Sequence, residues 1–385
     1  MRLNERYFSP DIQALTARFW ERWVLMNVPS PQVSVLVPIY NVEVYLDRCL
    51  ASIAAQSFDD FEVICLNDGS TDGSLAVIRS YVDKDPRFRL VNKPNSGYGD
   101  TMNQGLALAR GSYIAIVESD DFIAAHMLEQ LWTAAQKNEV EVVKANCYFY
   151  WQYPRARQRL FHLVPRSETG CVIDPAQHTQ IFHLTQSIWS ALYRRDFLTA
   201  NAIDFVASPG ASYQDAAFNF KVWCAARRVW FVPDALYYYR QDNASSSVAS
   251  KTKALAVVGE YAAIDAYLAT RPEKLAAFGA LAQKLKFDAY LWNYERLAPG
   301  LKLDFLHLFA AEIREDAAHG RIDRRLYEPW KLYDLDALLL SAEHYHELRL
   351  KHGGANAHGR IRFYLSQAGP LVCWRFIWSK LYRAG

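Results

Sequence analysis

The strongest constraint on this chain is an alternation that begins at Val33, where short, uninterrupted apolar runs are separated by longer segments of helical periodicity. The runs are Val33 to Val37, Phe61 to Leu66, Phe88 to Val91 and Ser112 to Val117. Between them the helical pattern covers Val44 to Ala55, Ser74 to Asp83 and Thr101 to Ala109. A strand that is apolar on both faces must be covered on both faces, so the pattern predicts an α/β fold: a mostly parallel sheet flanked by helices. Ligands of such sheets gather at the carboxyl ends of the strands. The polar clusters of this chain follow those ends.

The most informative cluster is Glu118, Ser119, Asp120 and Asp121, directly after the run that ends at Val117. Carboxylates on a strand end supply hard oxygen ligands on a rigid support, which a magnesium or manganese ion holding phosphates requires. A plainer reading has Asp121 capping the helix expected from Ala125 to Lys137. After the first run come Pro38, Tyr40, Asn41 and Glu43. Tyr40 could stack on a flat base, worth roughly 1 to 3 kcal/mol, or fill a core edge. The stretch Asn67 to Gly73 looks like a calcium loop, but Arg79 occupies the position of the bidentate glutamate, which sets calcium aside. Asp72 is expected to cap the next helix, leaving Asp68 to accept from a base N–H. Gly97 and Gly99 form a tight turn that would also admit a ligand closely, although Asn103 and Gly105 fail to complete a dinucleotide motif. Ser212 with Asp215 reads as a capping box before a helix running to Ala226.

A length of 385 residues and 51% apolar content allow two domains with a sizeable core. A net charge of +2 gives no basis for nucleic-acid binding. The six cysteines contain no CxxC pair, which argues against a zinc knuckle or a disulfide framework and for a reducing, cytoplasmic compartment. Residues 1–32 are expected to hold an amphipathic helix with Ile12, Leu15, Phe19, Trp23 and Met26 on one face; its charges interrupt any signal-peptide run. Residues 33–250 form the α/β unit, and residues 251–385 turn helical, with helices near Ala254 to Leu268, Glu273 to Leu297 and Leu303 to Ala318. The stretch from Tyr150 to His162 is either a phosphate- or acceptor-facing edge or a solvated edge strand. Val229 to Val232 and Leu236 to Tyr239 are expected as closing strands, followed by a polar segment that could fold over a ligand. From Arg360 to Gly385 there is no acid, and basic residues interleave with aromatics. Leu371, Trp374, Trp378 and Leu381 share one helical face there, suited either to the surface of an anionic bilayer or to packing on the protein itself.

Together the motifs VSVLVPIYN, NDGSTDGS, NSGYGDTMNQGLALARGSYI, ESDDF, YQDAAF and YYYRQDN resemble glycosyltransferase family 2, the inverting nucleotide-sugar glycosyltransferases of Rossmann-like GT-A fold. The resemblance runs from about Val33 to Ser247. It implies transfer of a hexose-type sugar from a UDP-sugar donor to a saccharide or lipid-linked acceptor, in cell-surface polysaccharide or glycan synthesis. It also implies a Mn2+ or Mg2+ cofactor bound by Asp120. Pro38 and Tyr40 would border the uracil, Asp68 would accept from its N3–H, and Asn41, Glu43, Asn95 and Asn103 would line the nucleotide pocket. Glu118, Ser119 and Asp121 would support the donor, Arg240 would meet the diphosphate, and Trp189 and Gln214 would lie on the acceptor side. Asp215 would be the general base. Three positions depart from the family pattern: Glu118 replaces an aspartate, Met102 an arginine, and Gln214 an acid. They keep a catalytically inactive sugar- or nucleotide-binding relative open as an alternative. A sugar nucleotidylyltransferase would open instead on a Gly-rich, basic loop, where this chain has PIYN.

Overall fold

The structure, a computed structural model, describes residues 30–210, 212–243, 255–352 and 357–382. The helix expected from Pro10 to Met26 and the polar segment beyond Asn243 lie outside the described residues. Three strands open the fold: β1 (Val33–Ile39), β2 (Phe61–Asp68) and β3 (Phe88–Lys93) pair in parallel, and β4 (Tyr113–Ile116) joins β1 in parallel on its other side. Every residue of β1 and β2 is buried, as uninterrupted apolar runs require. Helices α1 (Glu43–Ala54) and α2 (Ser74–Val82) connect the first strands. In α1, Leu46, Cys49, Leu50 and Ile53 are buried at helical spacing. Each such side chain contributes about 1.5–3 kcal/mol by leaving water.

The rest of the sheet is β5 (Phe122–Ile123), β6 (Val142–Trp151), β7 (Arg157–Phe161), β8 (Val172–Ile173), β9 (Ala191–Arg194) and β10 (Val229–Arg240). The strand order is β3-β2-β1-β4-β9-β6-β10-β5, with β7 on β6 and β8 on β10. Strand β9 is antiparallel to both β4 and β6, whereas β10 runs parallel to β6. The two closing strands expected from the sequence form one strand, β10, with register irregularities between Val232 and Tyr237 where Pro233 interrupts the ladder. The Arg-rich stretch supplies β7, an antiparallel edge strand whose first four residues are exposed.

Helix α3 (Tyr98–Leu108) begins earlier than the periodicity predicts, because Gly97 takes the cap position at φ 92. Helices α4 (Met127–Asn138), α5 (Arg195–Ala200) and α6 (Gln214–Ala225) complete the α/β part. The helical part is α7 (Ala256–Ala269), α8 (Pro272–Arg296), α9 (Pro299–Ala318), α10 (Pro329–Leu340), α11 (Ala342–His352), α12 (Ala357–Gln367) and α13 (Pro370–Tyr382). Glu260 of α7 accepts a hydrogen bond from Ala217 N–H across 2.9 Å, tying the helical part to the first turn of α6. All six cysteines are free, and among the described residues no helix is long and apolar enough to cross a membrane.

Candidate active site

The acidic cluster leaves the end of β4 and is anchored from behind by β10. Asp121 is 1% exposed; its Oδ1 accepts from Arg240 N–H at 2.7 Å and its Oδ2 from the Tyr237 hydroxyl at 2.8 Å. The same tyrosine oxygen accepts from Glu118 N–H at 3.0 Å. Asp121 therefore does not cap α4, whose cap residue is His126, and both its oxygens are turned into the protein rather than toward a ligand. Asp120 is fastened through its main chain, since its carbonyl accepts from Arg240 Nε at 2.8 Å. Its Oδ2 accepts from Asn243 at 2.8 Å, and its Oδ1 has no donor among the described residues. The side chains of Glu118 and Asp120 are half-buried.

The second acid arrives by a clamp between α3 and the segment from Phe205 to Gly210. Tyr98 N–H donates to the Gly210 carbonyl at 2.9 Å. The Asn103 amide both donates to the Phe205 carbonyl and accepts from Phe205 N–H, each at 2.9 Å. A Cβ at Gly97 would lie 2.6 Å from the Ser208 carbonyl oxygen, and one at Gly99 would overlap the Val206 carbonyl. What these glycines admit closely is thus the backbone of the chain itself. Gln214 continues the clamp, accepting from Ser212 N–H and donating to Ser208 Oγ at 3.1 Å. Tyr213, at φ 66, caps α6 in place of the capping box expected from Ser212. Asp215 then stands in the first turn of α6, where the N–H groups of residues 215 and 216 favour its charged form.

The clamp brings the acids into one electrostatic field. The Tyr98 hydroxyl donates to Glu118 Oε1 at 2.6 Å. Burial pushes the Glu118 carboxyl up to about 7; the Tyr98 hydrogen bond opposes this, and the charges of Asp120 and Asp215 add to it. Burial likewise raises Asp215 to about 6 against its two backbone N–H groups. The Tyr239 hydroxyl is raised by burial first and then by the charges of Asp121, Asp120, Glu118 and Asp215. Carboxylates from positions nearly a hundred residues apart, Glu118 and Asp215, thus lie close enough for the charge of one to act on the other.

Among the described residues no group of three or more His, Cys, Asp or Glu closes into a cage for a metal. A magnesium-type cation needs no such cage, because it characteristically takes one or two carboxylates and completes its shell with phosphate and water oxygens. Asp120, with one oxygen undonated and Glu118 beside it, fits that mode.

At the ends of β1 to β3 the remaining expected residues form a rim. Tyr40 is 51% exposed, Asn41 and Asn95 are exposed, and Pro38 is buried in β1. Asn41 takes a left-handed conformation at φ 52, and its Oδ1 accepts from Thr71 N–H at 2.8 Å. Glu43 accepts from Gly73 N–H, while Asp72 accepts from Glu43 N–H at 3.0 Å and from Ser74 N–H at 3.0 Å. Asp68 holds the third loop, accepting from Ser96 N–H at 2.8 Å and Gly97 N–H at 3.1 Å and pairing with Lys93.

Several expected residues face elsewhere. Asn103 is occupied by Phe205, so it pins a loop rather than lining the nucleotide pocket. Gln214 is 4% exposed, with both ends of its amide folding the 208–214 loop. Trp189 is 8% exposed and stacks on Tyr237 at 4.4 Å, part of the core rather than of an acceptor surface. The Arg240 side chain is 4% exposed and lies over the Tyr45 ring at 4.6 Å, so it braces Asp120 from beneath. Ser119 is buried, and Met102 points into the core.

Other residues meet Tyr213, next to Asp215, that the sequence did not point to. Beside Asp215, the Tyr213 hydroxyl donates to Asn293 Oδ1 at 3.0 Å, and its ring meets Trp292 edge-on at 6.1 Å. Trp292 is 48% exposed, with the Arg296 guanidinium 4.0 Å above its ring. These residues sit on α8, and no local pattern linked them to a site formed by the sheet.

Residues 34–198 match the family model described as Glycosyl transferase family 2. The chain is 31% identical over 218 residues to the uncharacterized glycosyltransferase EpsJ of Bacillus subtilis, covering 55% of this chain and 62% of that protein. It is 30% identical over 229 residues to the uncharacterized glycosyltransferase YibD of Escherichia coli, covering 58% and 65% respectively. The chain thus spans under two thirds of the length of each. In fold it is similar to S. aureus TarS 1–349 in complex with UDP, with a TM-score of 0.61 at 22% identity over 83% of this chain and 91% of that one. With its ESDDF segment at the end of β4 and this sheet order, the chain has the GT-A fold, and residues 34–198 are similar to glycosyltransferase family 2.

Proposed function

We propose that the chain is an inverting glycosyltransferase that moves a hexose-type sugar from a UDP-sugar to a hydroxyl of a saccharide or lipid-linked saccharide acceptor. It would work in cell-surface polysaccharide or glycan synthesis on the cytoplasmic side of the membrane, with residues 33–250 as the catalytic unit and 251–385 as a helical accessory region. The observation that supports the reading is the clamp of Tyr98 and Asn103 on the 205–210 segment, with Tyr98 also holding Glu118, which carries Asp215 close enough for its charge to raise the Glu118 carboxyl.

In this mechanism Asp215 removes the proton from the acceptor hydroxyl, a role worth roughly a hundredfold to ten-thousandfold in rate. The acceptor oxygen bonds to the anomeric carbon from the face opposite the leaving group. The bond from that carbon to the diphosphate oxygen breaks, its electron pair departs with UDP, and the configuration inverts. Tyr40 and Asn95 border the base, and Asp68 shapes the loop beneath it. Asp120, with Glu118 beside it, would hold Mn2+ or Mg2+, which when bound neutralises charge on the diphosphate. Tyr213 and Trp292 offer an aromatic acceptor side next to the base. Uridine as the base is supported by the UDP and UDP-GlcNAc complexes of TarS, the similarly folded protein.

The test is release of UDP from a panel of UDP-sugars, with and without candidate acceptors, by the parent and by Asp215→Asn. Turnover by the parent alone supports the reading. Donor binding without turnover by the parent would identify a non-catalytic binder.

A further inference from the structure

The sequence leaves two uses open for the apolar face of the last helix, and the structure separates them. Helix α13 packs inward through Cys373, 3% exposed, and Phe376, 4% exposed; the Phe376 ring meets Tyr364 at 5.0 Å and Trp330 at 5.7 Å. Its apolar core contact is therefore already made. The other side presents Leu371, Trp374 and Trp378 at 64%, 55% and 46% exposure, with the two indoles stacked at 5.3 Å. Leu365, at the end of α12 just before the turn into α13, is 52% exposed.

Charge points to what covers this face. No Asp or Glu follows Glu347 in the sequence, and the charged side chains after it are basic. Arg349 and Arg360 pair with Glu295 and are committed to the fold. Lys351, Arg362 and Arg375 are exposed beside the apolar residues. A thirteen-residue helix spans about 20 Å, too short to cross a bilayer and suited to lying in its surface. Tryptophans that place an apolar ring inward and an N–H toward water, flanked by cations and free of acids, match the boundary of an anionic membrane.

We propose that the α12–α13 face, with Leu365, Leu371, Trp374 and Trp378 as the inserted residues and Arg362 and Arg375 as headgroup contacts, docks the protein on an anionic lipid surface. Docking would keep the cleft near a lipid-linked acceptor; only that consequence rests on the transferase reading, and the docking itself does not.

The experiment is co-sedimentation of the full chain with vesicles of equal parts phosphatidylglycerol and phosphatidylcholine, and with vesicles of phosphatidylcholine alone, with no donor or acceptor present. The parent should pellet with the anionic vesicles and stay soluble with the neutral ones, and high salt should weaken the association. Leu371→Ser with Trp374→Ser and Trp378→Ser, at positions already exposed, should keep the parent's melting temperature while the partition coefficient falls by roughly tenfold or more. Arg362→Gln with Arg375→Gln should reduce it specifically on anionic vesicles. Equal soluble fractions with both vesicle types, or apolar variants that bind as the parent does, would overturn the proposal. A parent that is dimeric in light scattering, and made monomeric by the apolar variant, would assign the face to a second copy instead. Because sedimentation needs no turnover, loss of the transferase reading would leave this result standing.

Discussion

The phenol of Tyr98 donates to Glu118 Oε1 at 2.6 Å while its own backbone N–H holds Gly210, five residues before Asp215. A single residue therefore links the donor-side acid to the loop that delivers the candidate base. Tyr98→Phe removes the hydrogen bond that holds the Glu118 carboxyl down, so that carboxyl should rise further above about 7. Transfer by the parent should increase with pH through apparent values between about 6 and 7, because Asp215 and Glu118 must both be ionised and burial raises their carboxyls to about 6 and about 7. In the variant this acid limb moves to higher pH, which a rate profile from pH 5 to 9 would show; an unmoved limb would separate Glu118 from catalysis.

Asp215→Asn should lower the transfer rate by about a hundredfold to ten-thousandfold with UDP binding nearly unchanged. It should also stabilise the fold. A carboxyl raised in the folded state ionises first in the unfolded chain, so stability falls as pH climbs from the ordinary aspartate range to about 6 and stays reduced above that. The asparagine lacks this penalty, and its melting temperature should exceed the parent's at pH 8, by roughly 1 to 3 kcal/mol in stability, and match it near pH 3. Calorimetry at the two pH values checks the sign.

Gly99→Ala places a methyl group on the Val206 carbonyl, in a contact between two backbones that cannot both yield. A cost of about 1 to 3 kcal/mol is expected for the overpacking. The α3 clamp should part and Asp215 shift, so turnover should fall more than UDP affinity does. Titration calorimetry for UDP beside turnover separates the two effects.

Chelation by EDTA should remove transfer, and Mn2+ or Mg2+ should restore it. Asp120→Asn should raise the metal concentration needed for half-maximal rate, while its backbone anchor to Arg240 keeps the fold intact. Metal-independent transfer would contradict the role given to Asp120.

Trp292→Ala should weaken acceptor use and leave the donor alone, because the exposed ring packs on Tyr213, next to the candidate base. The acceptor KM should rise by up to about tenfold, equivalent to about 1.4 kcal/mol, with the donor KM constant.

Local periodicity was enough to place β1, β2 and β4 and to put Glu118 to Asp121 at a strand end, because burial on both faces writes itself into consecutive residues. It did not show which of those consecutive acids face the cleft. That depended on β10 crossing behind them, where Tyr237 and Arg240 take both oxygens of Asp121. Asn103 and Gln214 were legible as polar residues in the right motifs, yet their partners are backbone groups of the 205–214 segment, which no spacing reveals.

By itself the sequence determined the alternating fold, the family motifs and the identity of the acids, since these follow from residue type and near-neighbour spacing. Only the tertiary structure decided that glycines 97 and 99 accommodate backbone, that Asp215 acts on Glu118, that Trp292 meets Tyr213, and that α13 turns its tryptophans outward. Each of these depends on contacts between segments far apart in the chain, and such contacts are settled by how the layers pack rather than by any local preference.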